Sequence, residues 1–485
     1  MHKALVIKVA IILGLTLGLM VPLGMVSQLI DERAARQEAV VSEIAASSAG
    51  AQRLIGPILV LPYQEEFTQE YWEKETIDGE LKRVRRIRQV KVDGRALIMP
   101  SSAQMQFDGR TSVKRRGLFK ALVYELEGGI QGRFVIPAQP ALERQQENSH
   151  IQWGQPYLSL GLSDTRGLVR TPQLQWDGTP IDFAQGTLLD PTLPQGMHVP
   201  LPKLVQVGQG RASFGDRAFV DGADADEADA DEAERAPREI PFSITLAFRG
   251  TESVSFVPLA DSTRIELAST WPHPSFQGRF LPNADGQMID ADGFSALWEV
   301  SALATAAPAN LRADVAAGRV CLGGCADWLG VRFIEPVNIY SMSNRAVKYG
   351  ILFIGLTFAA VLLLELLRSL KVHPAQYLLV GLALALFFLL LLSLSEHIAF
   401  GLAYGLATLG CVSLLGYYLI AVLGSVKRGA GFALLLAVLF AALYGLLMSE
   451  DAALLMGSLL LFGLLALTMV LTRRLDWYAL EKSVA

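Results

Sequence analysis

The sequence predicts a multi-pass α-helical membrane protein with six transmembrane helices, arranged one plus five, and a large β-rich extracytoplasmic domain between the first helix and the second. Three observations predict it. Long apolar runs are confined to the two ends of the chain, the basic residues of the short connections fall on one side, and the middle consists of short β-branched and aromatic segments punctuated by Gly, Pro and Asp. A chain of 485 residues that is 52% hydrophobic and 18% charged, with a mean hydropathy of +0.36, is rarely reached without lipid.

A bilayer core about 30 Å thick needs roughly 20 apolar residues in a helix, since each adds about 1.5 Å and every backbone polar group has to be paired within the segment. Six segments meet that requirement: Val6 to Gln28, Tyr349 to Leu367, Pro374 to Leu394, Ile398 to Leu423, Gly429 to Met448 and Ala452 to Leu471. The first, within residues 1–30, follows Lys3 and surrounds Lys8 as a signal peptide would. Its apolar run is too long for one and no A-x-A-like pair closes it, so it reads as an uncleaved signal anchor, with a cleaved peptide as the alternative.

Lys3 and Lys8, Arg368 and Lys371, Lys427 and Arg428, and Arg473, Arg474 and Lys482 fall on one side of these helices, while Ser393 to His397 and Ser449 to Asp451 carry no Lys or Arg. The positive-inside rule then makes both termini cytoplasmic, puts residues 31–345 outside, and leaves 346–485 as a five-helix block with a cytoplasmic tail. Arg345 and Lys348 depart from the pattern, but residues beside a long translocated domain count little in it. Gly14 with Gly18, and Gly401 with Gly405, are G-x-x-x-G spacings that serve helix packing within the chain or, alternatively, dimerisation.

After Asp31 a short polar helix is expected to about Ala49. Beyond Gly56-Pro57 the segments Ile58 to Tyr63, Leu81 to Val92, Ala96 to Met99, Leu118 to Leu126, Gly132 to Ile136, Phe242 to Phe248, Val254 to Val257 and Arg264 to Leu267 read as strands of a mostly antiparallel architecture. Gln131-Gly132-Arg133-Phe134 is echoed by Gln277-Gly278-Arg279-Phe280, which points either to two related β lobes or to a chance match. The run Asp221 to Glu234, in an acidic stretch reaching about 235, repels itself and has no apolar surface to bury, so a disordered loop is expected. It lacks the Gly and the spaced Glu of a calcium loop.

The net charge of −5 comes largely from that run, and no stretch carries the clustered basic face that a nucleic-acid partner needs. Cys321 and Cys325 form Cys-Leu-Gly-Gly-Cys on the side assigned to an oxidising compartment, which points to a disulfide; zinc lacks further ligands nearby, and a redox pair is more often C-x-x-C. Cys411 lies inside a membrane helix and reads as packing. Glu365 stands a turn from Arg368 near a helix end and is expected to snorkel. Glu396, His397, Glu450 and Asp451 are placed at the outer starts of the fourth and sixth helices, where they either cap the helices or converge into a polar patch. No nucleophile elbow, phosphate loop, Rossmann fingerprint or zincin helix is present, and the helix middles carry no charges of the kind a proton relay uses. Neither catalysis nor a cofactor is expected.

Arg345-Ala346-Val347-Lys348-Tyr349-Gly350, His373-Pro374-Ala375-Gln376-Tyr377, Leu391-Leu392-Ser393-Leu394-Ser395-Glu396-His397, Thr472-Arg473-Arg474-Leu475-Asp476-Trp477-Tyr478, and upstream Gly50-Ala51-Gln52-Arg53-Leu54-Ile55-Gly56-Pro57 and Trp271-Pro272-His273-Pro274 resemble the CreD family of bacterial inner-membrane proteins. The resemblance runs in order along nearly the whole chain; the acidic run and the Cys321/Cys325 pair lie outside its motifs. It implies a non-enzymatic protein tied to cell-envelope integrity and to envelope or β-lactam stress, with the lipid bilayer and an envelope or periplasmic component as partners. It carries over no catalytic or ligand-binding residue. A transporter or lipid-handling protein, whose bundle holds a polar cavity, and a sensor relaying a periplasmic signal are the alternatives.

Overall fold

The computed structural model describes residues 2–77, 80–137, most of 140–201 (141, 143 and 147–148 excepted), 237–321, 327–334, 338–368, 372–448 and scattered positions between 455 and 473. The acidic run, Cys325, Glu450 and Asp451 lie outside them, as does much of the expected sixth span. Among the described residues five helical stretches are long and apolar enough to cross a membrane, one N-terminal and four C-terminal: Val6–Ser47, Ile339–Glu365, Pro374–Ser395, Phe400–Val422 and Val426–Met448.

The N-terminal stretch comprises α1 (His2–Gly18) and α2 (Met20–Ser47), and backbone bonds from Leu19 N–H to Leu15 and from Leu23 N–H to Leu19 carry the helix across the junction. The polar helix expected after Asp31 is therefore no separate element. Nothing between Asp31 and Ala46 stops a helix: there is no Gly or Pro, and Ala, Gln, Glu and Arg are good helix formers. A ten-residue helix α3 (Ala307–Ala316) lies within the β region. Next come α4 (Ile339–Arg368), α5 (Pro374–Ser395), α6 (Phe400–Val422) and α7 (Val426–Met448). α4 starts before the apolar run because Asn338 accepts from the N–H groups of Tyr340 (3.0 Å) and Ser341 (3.2 Å), a side-chain N-cap. α5 opens on a capping box: His373 Nδ1 accepts from Ala375 N–H and the Gln376 side chain from His373 N–H.

The chain divides into two compact units: Met1–Ala39 with Arg116–Phe119 and Pro336–Ala485, and Val40–Arg115 with Lys120–Glu335. The second unit is built of a nine-stranded and an eight-stranded sheet. Its longest element is a ribbon in which Gln52–Ile77 and Glu80–Ile98 run antiparallel. Most ladders are antiparallel, but among the described residues each sheet has one parallel pairing, Gln52–Ile55 on Val254–Val257 and Ser102–Gly109 on Ser262–Ser269. One core cluster draws on both sheets, with Phe107 stacked on Phe256 (5.6 Å) and edge-on to Phe248 (5.7 Å), and Phe134 against Phe242 (5.0 Å) and Trp176 (5.6 Å).

Two expected strands, Leu118 to Leu126 and Gly132 to Ile136, are one strand, Phe119–Ile136. Gly128-Gly129 between them looks like a turn in sequence but serves close approach, since a side chain at Gly128 would strike the Gln106 carbonyl. The echoed stretches occupy unlike places. Gly132 sits inside a strand of the eight-stranded sheet opposite Phe242, whereas Gly278 ends a strand of the nine-stranded sheet opposite Leu329, at a left-handed φ of +103°.

Of the G-x-x-x-G glycines, Gly14, Gly18 and Gly405 face open space, and only Gly401 is approached, by the Tyr444 hydroxyl. Packing within the chain is thus carried by other residues, chiefly the rings described below.

Candidate functional site

The helical unit holds ionisable side chains against one another at two levels along the N-terminal helix. Lys8 and Arg33 are 25 positions apart, about 38 Å along a helix, slightly more than the hydrocarbon core of about 30 Å. Each meets a carboxylate.

At the first level Glu365, three residues before the end of α4, is buried, with its side chain only 9% exposed. Its Oε1 is paired with Lys8 Nζ and accepts from Val372 N–H (3.2 Å), and its Oε2 accepts from the Tyr377 hydroxyl (3.0 Å). Lys8 also donates to the Val372 carbonyl at 2.9 Å and lies 6.0 Å from the Tyr377 ring centre. The expectation that Glu365 snorkels beside Arg368 is corrected. The carboxylate turns inward because a cation, a phenol and an unsatisfied N–H before α5 supply the partners that a buried charge requires.

At the second level Glu396 is the C-cap of α5, not the start of α6. Its carboxylate accepts from the Tyr340 hydroxyl (3.3 Å) and stands 3.7 Å from the Arg33 guanidinium, with the side chain 8% exposed. The capping role expected for Glu396 and His397 fails for a geometric reason: these residues finish α5, and α6 begins at N-cap Ala399 with no side-chain cap. Ser395 Oγ donates back to Leu392 O, and His397 Nδ1 lies 3.0 Å from Ser393 O with the residue exposed. An acid at a helix C-terminus opposes the helix dipole, and Arg33 and Tyr340 offset that. Beside this level Asn344 donates to Asp31 (3.2 Å) and accepts from Ser27 (3.4 Å), tying α4 to the same stretch of α2. Of the four residues read as helix caps or, alternatively, as a polar patch, the structure turns Glu396 inward and His397 outward, and Glu450 and Asp451 fall outside the described residues.

The two levels share one plan. Antiparallel α4 and α5 bring a helix end and a helix start together at each level. The carboxylate comes from the end of one (Glu365 on α4, Glu396 after α5), the phenol from the start of the other (Tyr377 on α5, Tyr340 on α4), and the cation from the N-terminal helix. In sequence Lys8 reads only as a topology residue and Arg33 as one charge of a polar helix; the Tyr at the start of each helix are the available signal.

Between the levels the unit is packed with rings. Phe387 lies against Phe440 (4.5 Å) and Tyr404 (5.6 Å), Phe353 against Phe440 (5.7 Å), and the Tyr404 hydroxyl donates to the Phe440 carbonyl at 2.7 Å. Cys411 is buried, with Sγ 3.7 Å from the Ala383 carbonyl. In the β unit Cys321 is buried against Leu189, Leu193 and Leu311, and its expected partner Cys325 lies outside the described residues. Among the described residues no group of three or more His, Cys, Asp and Glu is placed to hold a metal ion. What the arrangement can do is mechanical and electrostatic: it fixes the N-terminal helix against α4 and α5 at two depths.

Comparison with known proteins places the chain in a family. The family model described as inner membrane protein CreD matches residues 4–478. Inner membrane protein CreD of Escherichia coli (strain K12) is 32% identical over 476 residues, which cover 97% of this chain and 93% of that protein. The chain therefore belongs to the CreD family of inner membrane proteins.

Proposed function

We propose that the protein is a non-enzymatic component of envelope integrity and of the response to envelope or β-lactam stress, in which the helical unit anchors and the β unit engages an envelope partner. In this reading both termini are cytoplasmic, the β unit is periplasmic, and Ala452 to Leu471 forms a sixth span. The observation that carries it is the distribution of polar groups in the helical unit. Paired charges sit at two levels near the helix ends, and the middle is filled by Phe353, Phe387, Tyr404 and Phe440. A transporter needs a polar site near mid-membrane, and ring packing of this kind suits an anchor instead.

The test is photo-crosslinking in living cells from exposed positions of the β unit, such as Trp72 in the two-stranded ribbon, with the full-length chain expressed from its own locus under β-lactam stress. Capture of one specific envelope component, together with a stress phenotype on deletion, supports the reading. Solute or lipid flux across vesicles containing only this protein would overturn it in favour of a transporter.

A further inference from the structure

The turn between the strands Ser102–Arg116 and Phe119–Ile136 has a chemistry that the anchoring reading does not use. Along the first strand burial alternates as far as Arg110, the sign of a strand with one face on the core; from Ser112 to Arg116 every residue is exposed. Those five positions, at about 3.3 Å each, continue the first strand by roughly 17 Å, while the return strand is seated on α2 through Ala121 and Val123, buried beside Val40, Val41 and Ile44. The first strand leads into Gly117 in the left-handed conformation (φ +62°), which closes the tight turn. The sequence of this finger is Val113-Lys114-Arg115-Arg116-Gly117-Leu118-Phe119-Lys120: four cations, no acid, and apolar Val113 and Leu118 left 46% and 47% exposed.

We propose that this finger is a docking surface for the anionic headgroups of the bilayer that holds the helices, with Lys114, Arg115 and Lys120 pairing with lipid phosphates and Leu118 entering the interface. Charge complementarity selects the occupant: basic side chains flanking exposed aliphatic ones are the composition of interfacial anchors. The bilayer is also covalently close. Only residues 334–338 separate the strand Leu329–Phe333 from α4, while on the other side the polar part of α2 after Asp31 leads through residues 48–51 into the strand that starts at Gln52. Such tethering keeps the unit at high effective concentration over the membrane, so weak contacts suffice.

The test is hydrogen exchange of the full-length protein in nanodiscs of phosphatidylglycerol-rich lipid and in nanodiscs of phosphatidylcholine alone. Amides of 112–121 should exchange more slowly in the anionic lipid, and the difference should vanish near 1 M salt, where screening acts over about 3 Å. Each basic residue near an anionic surface strengthens attachment about five-fold, so K114Q/R115Q/K120Q should lower it on the order of a hundred-fold and equalise the two lipids. Unchanged exchange in the sheets reports that the variant is folded; if it is not, the salt arm on the unaltered chain decides. Equal exchange of the finger in both lipids overturns the proposal, as does protection that survives high salt or appears only when an added protein binds.

Discussion

Replacing Lys8 with Met is the sharpest perturbation of the two-level arrangement. It removes the donor to Glu365 Oε1 and to the Val372 carbonyl, while the carboxylate keeps Val372 N–H and the Tyr377 hydroxyl. Removing one partner of a fully buried pair costs about 3–5 kcal/mol, because the other charge is stranded. Lys8 is 23% exposed and Glu365 retains two neutral donors, so we expect roughly 2–3 kcal/mol. Replacing Glu365 with Leu instead strands a lysine that still reaches a carbonyl and leaves two donors unpaired, for about 2 kcal/mol. The double variant has no stranded charge and should cost little more than the unpaired Tyr377 hydroxyl and Val372 N–H, about 1–2 kcal/mol. The cycle thus predicts a coupling of about 3 kcal/mol in magnitude. The assay is reversible denaturant unfolding of the full-length protein and the three variants in mixed micelles. Coupling within about 0.5 kcal/mol of zero would refute the reasoning, since independent sites add to that accuracy.

At the second level Glu396→Ala should destabilise by about 2 kcal/mol by leaving the buried Tyr340 hydroxyl and the partly exposed Arg33 without their acceptor, while His397→Ala, at an exposed position, should stay within about 0.5 kcal/mol in the same assay. Thiol labelling of denatured, unreduced protein should modify Cys411 and spare Cys321 and Cys325; modification of all three contradicts the expected disulfide. In the β unit burial pushes the Asp327 carboxyl up, but donors from Ala306 N–H (2.9 Å), Arg279 (2.6 Å) and the Thr305 hydroxyl (3.0 Å) outweigh it and hold the group below the usual carboxylate value. With the folded value below the unfolded one, its contribution is complete above the unfolded value of about 4 and is lost as pH falls through the folded value. Asp327→Asn should therefore lower stability near neutrality and flatten the acid limb of a stability–pH curve, and an unchanged limb would count against these contacts.

The apolar spans were legible because lipid demands long uninterrupted runs, and the spans expected at Pro374 and Ile398 lie within two residues of α5 and α6. The strands were legible as fragments. Gly128-Gly129 and Gly132 look like punctuation in a linear reading, whereas in three dimensions they let neighbouring backbones approach. The continuous N-terminal helix was missed because the change from apolar to polar composition at Asp31 marks where lipid ends, not where hydrogen bonding does. Glu396 was assigned to the wrong helix end: Ser and Glu before an apolar run look like an N-cap, but Ala399 fills that role and Glu396 closes the helix before it. The charge levels depend on residues more than 350 positions apart, such as Lys8 and Glu365, and no local pattern encodes such a pairing. The basic finger is inconspicuous in sequence because a net charge of −5 hides the three consecutive cations Lys114 to Arg116 and Lys120 after them.

The account turns on which side of the membrane the β unit occupies, and paired reporter fusions to the full chain test that most directly. Alkaline phosphatase, active only outside the cytoplasm, and a cytoplasm-dependent fluorescent protein are fused in turn at Gly222, within the acidic stretch, and at Ser483, after the expected sixth span. The account predicts phosphatase activity without fluorescence at Gly222 and fluorescence without phosphatase activity at Ser483, in keeping with the one-sided Lys and Arg of the short connections. A cytoplasmic signal at Gly222 would contradict it, because the β unit would then face away from every envelope partner proposed for it.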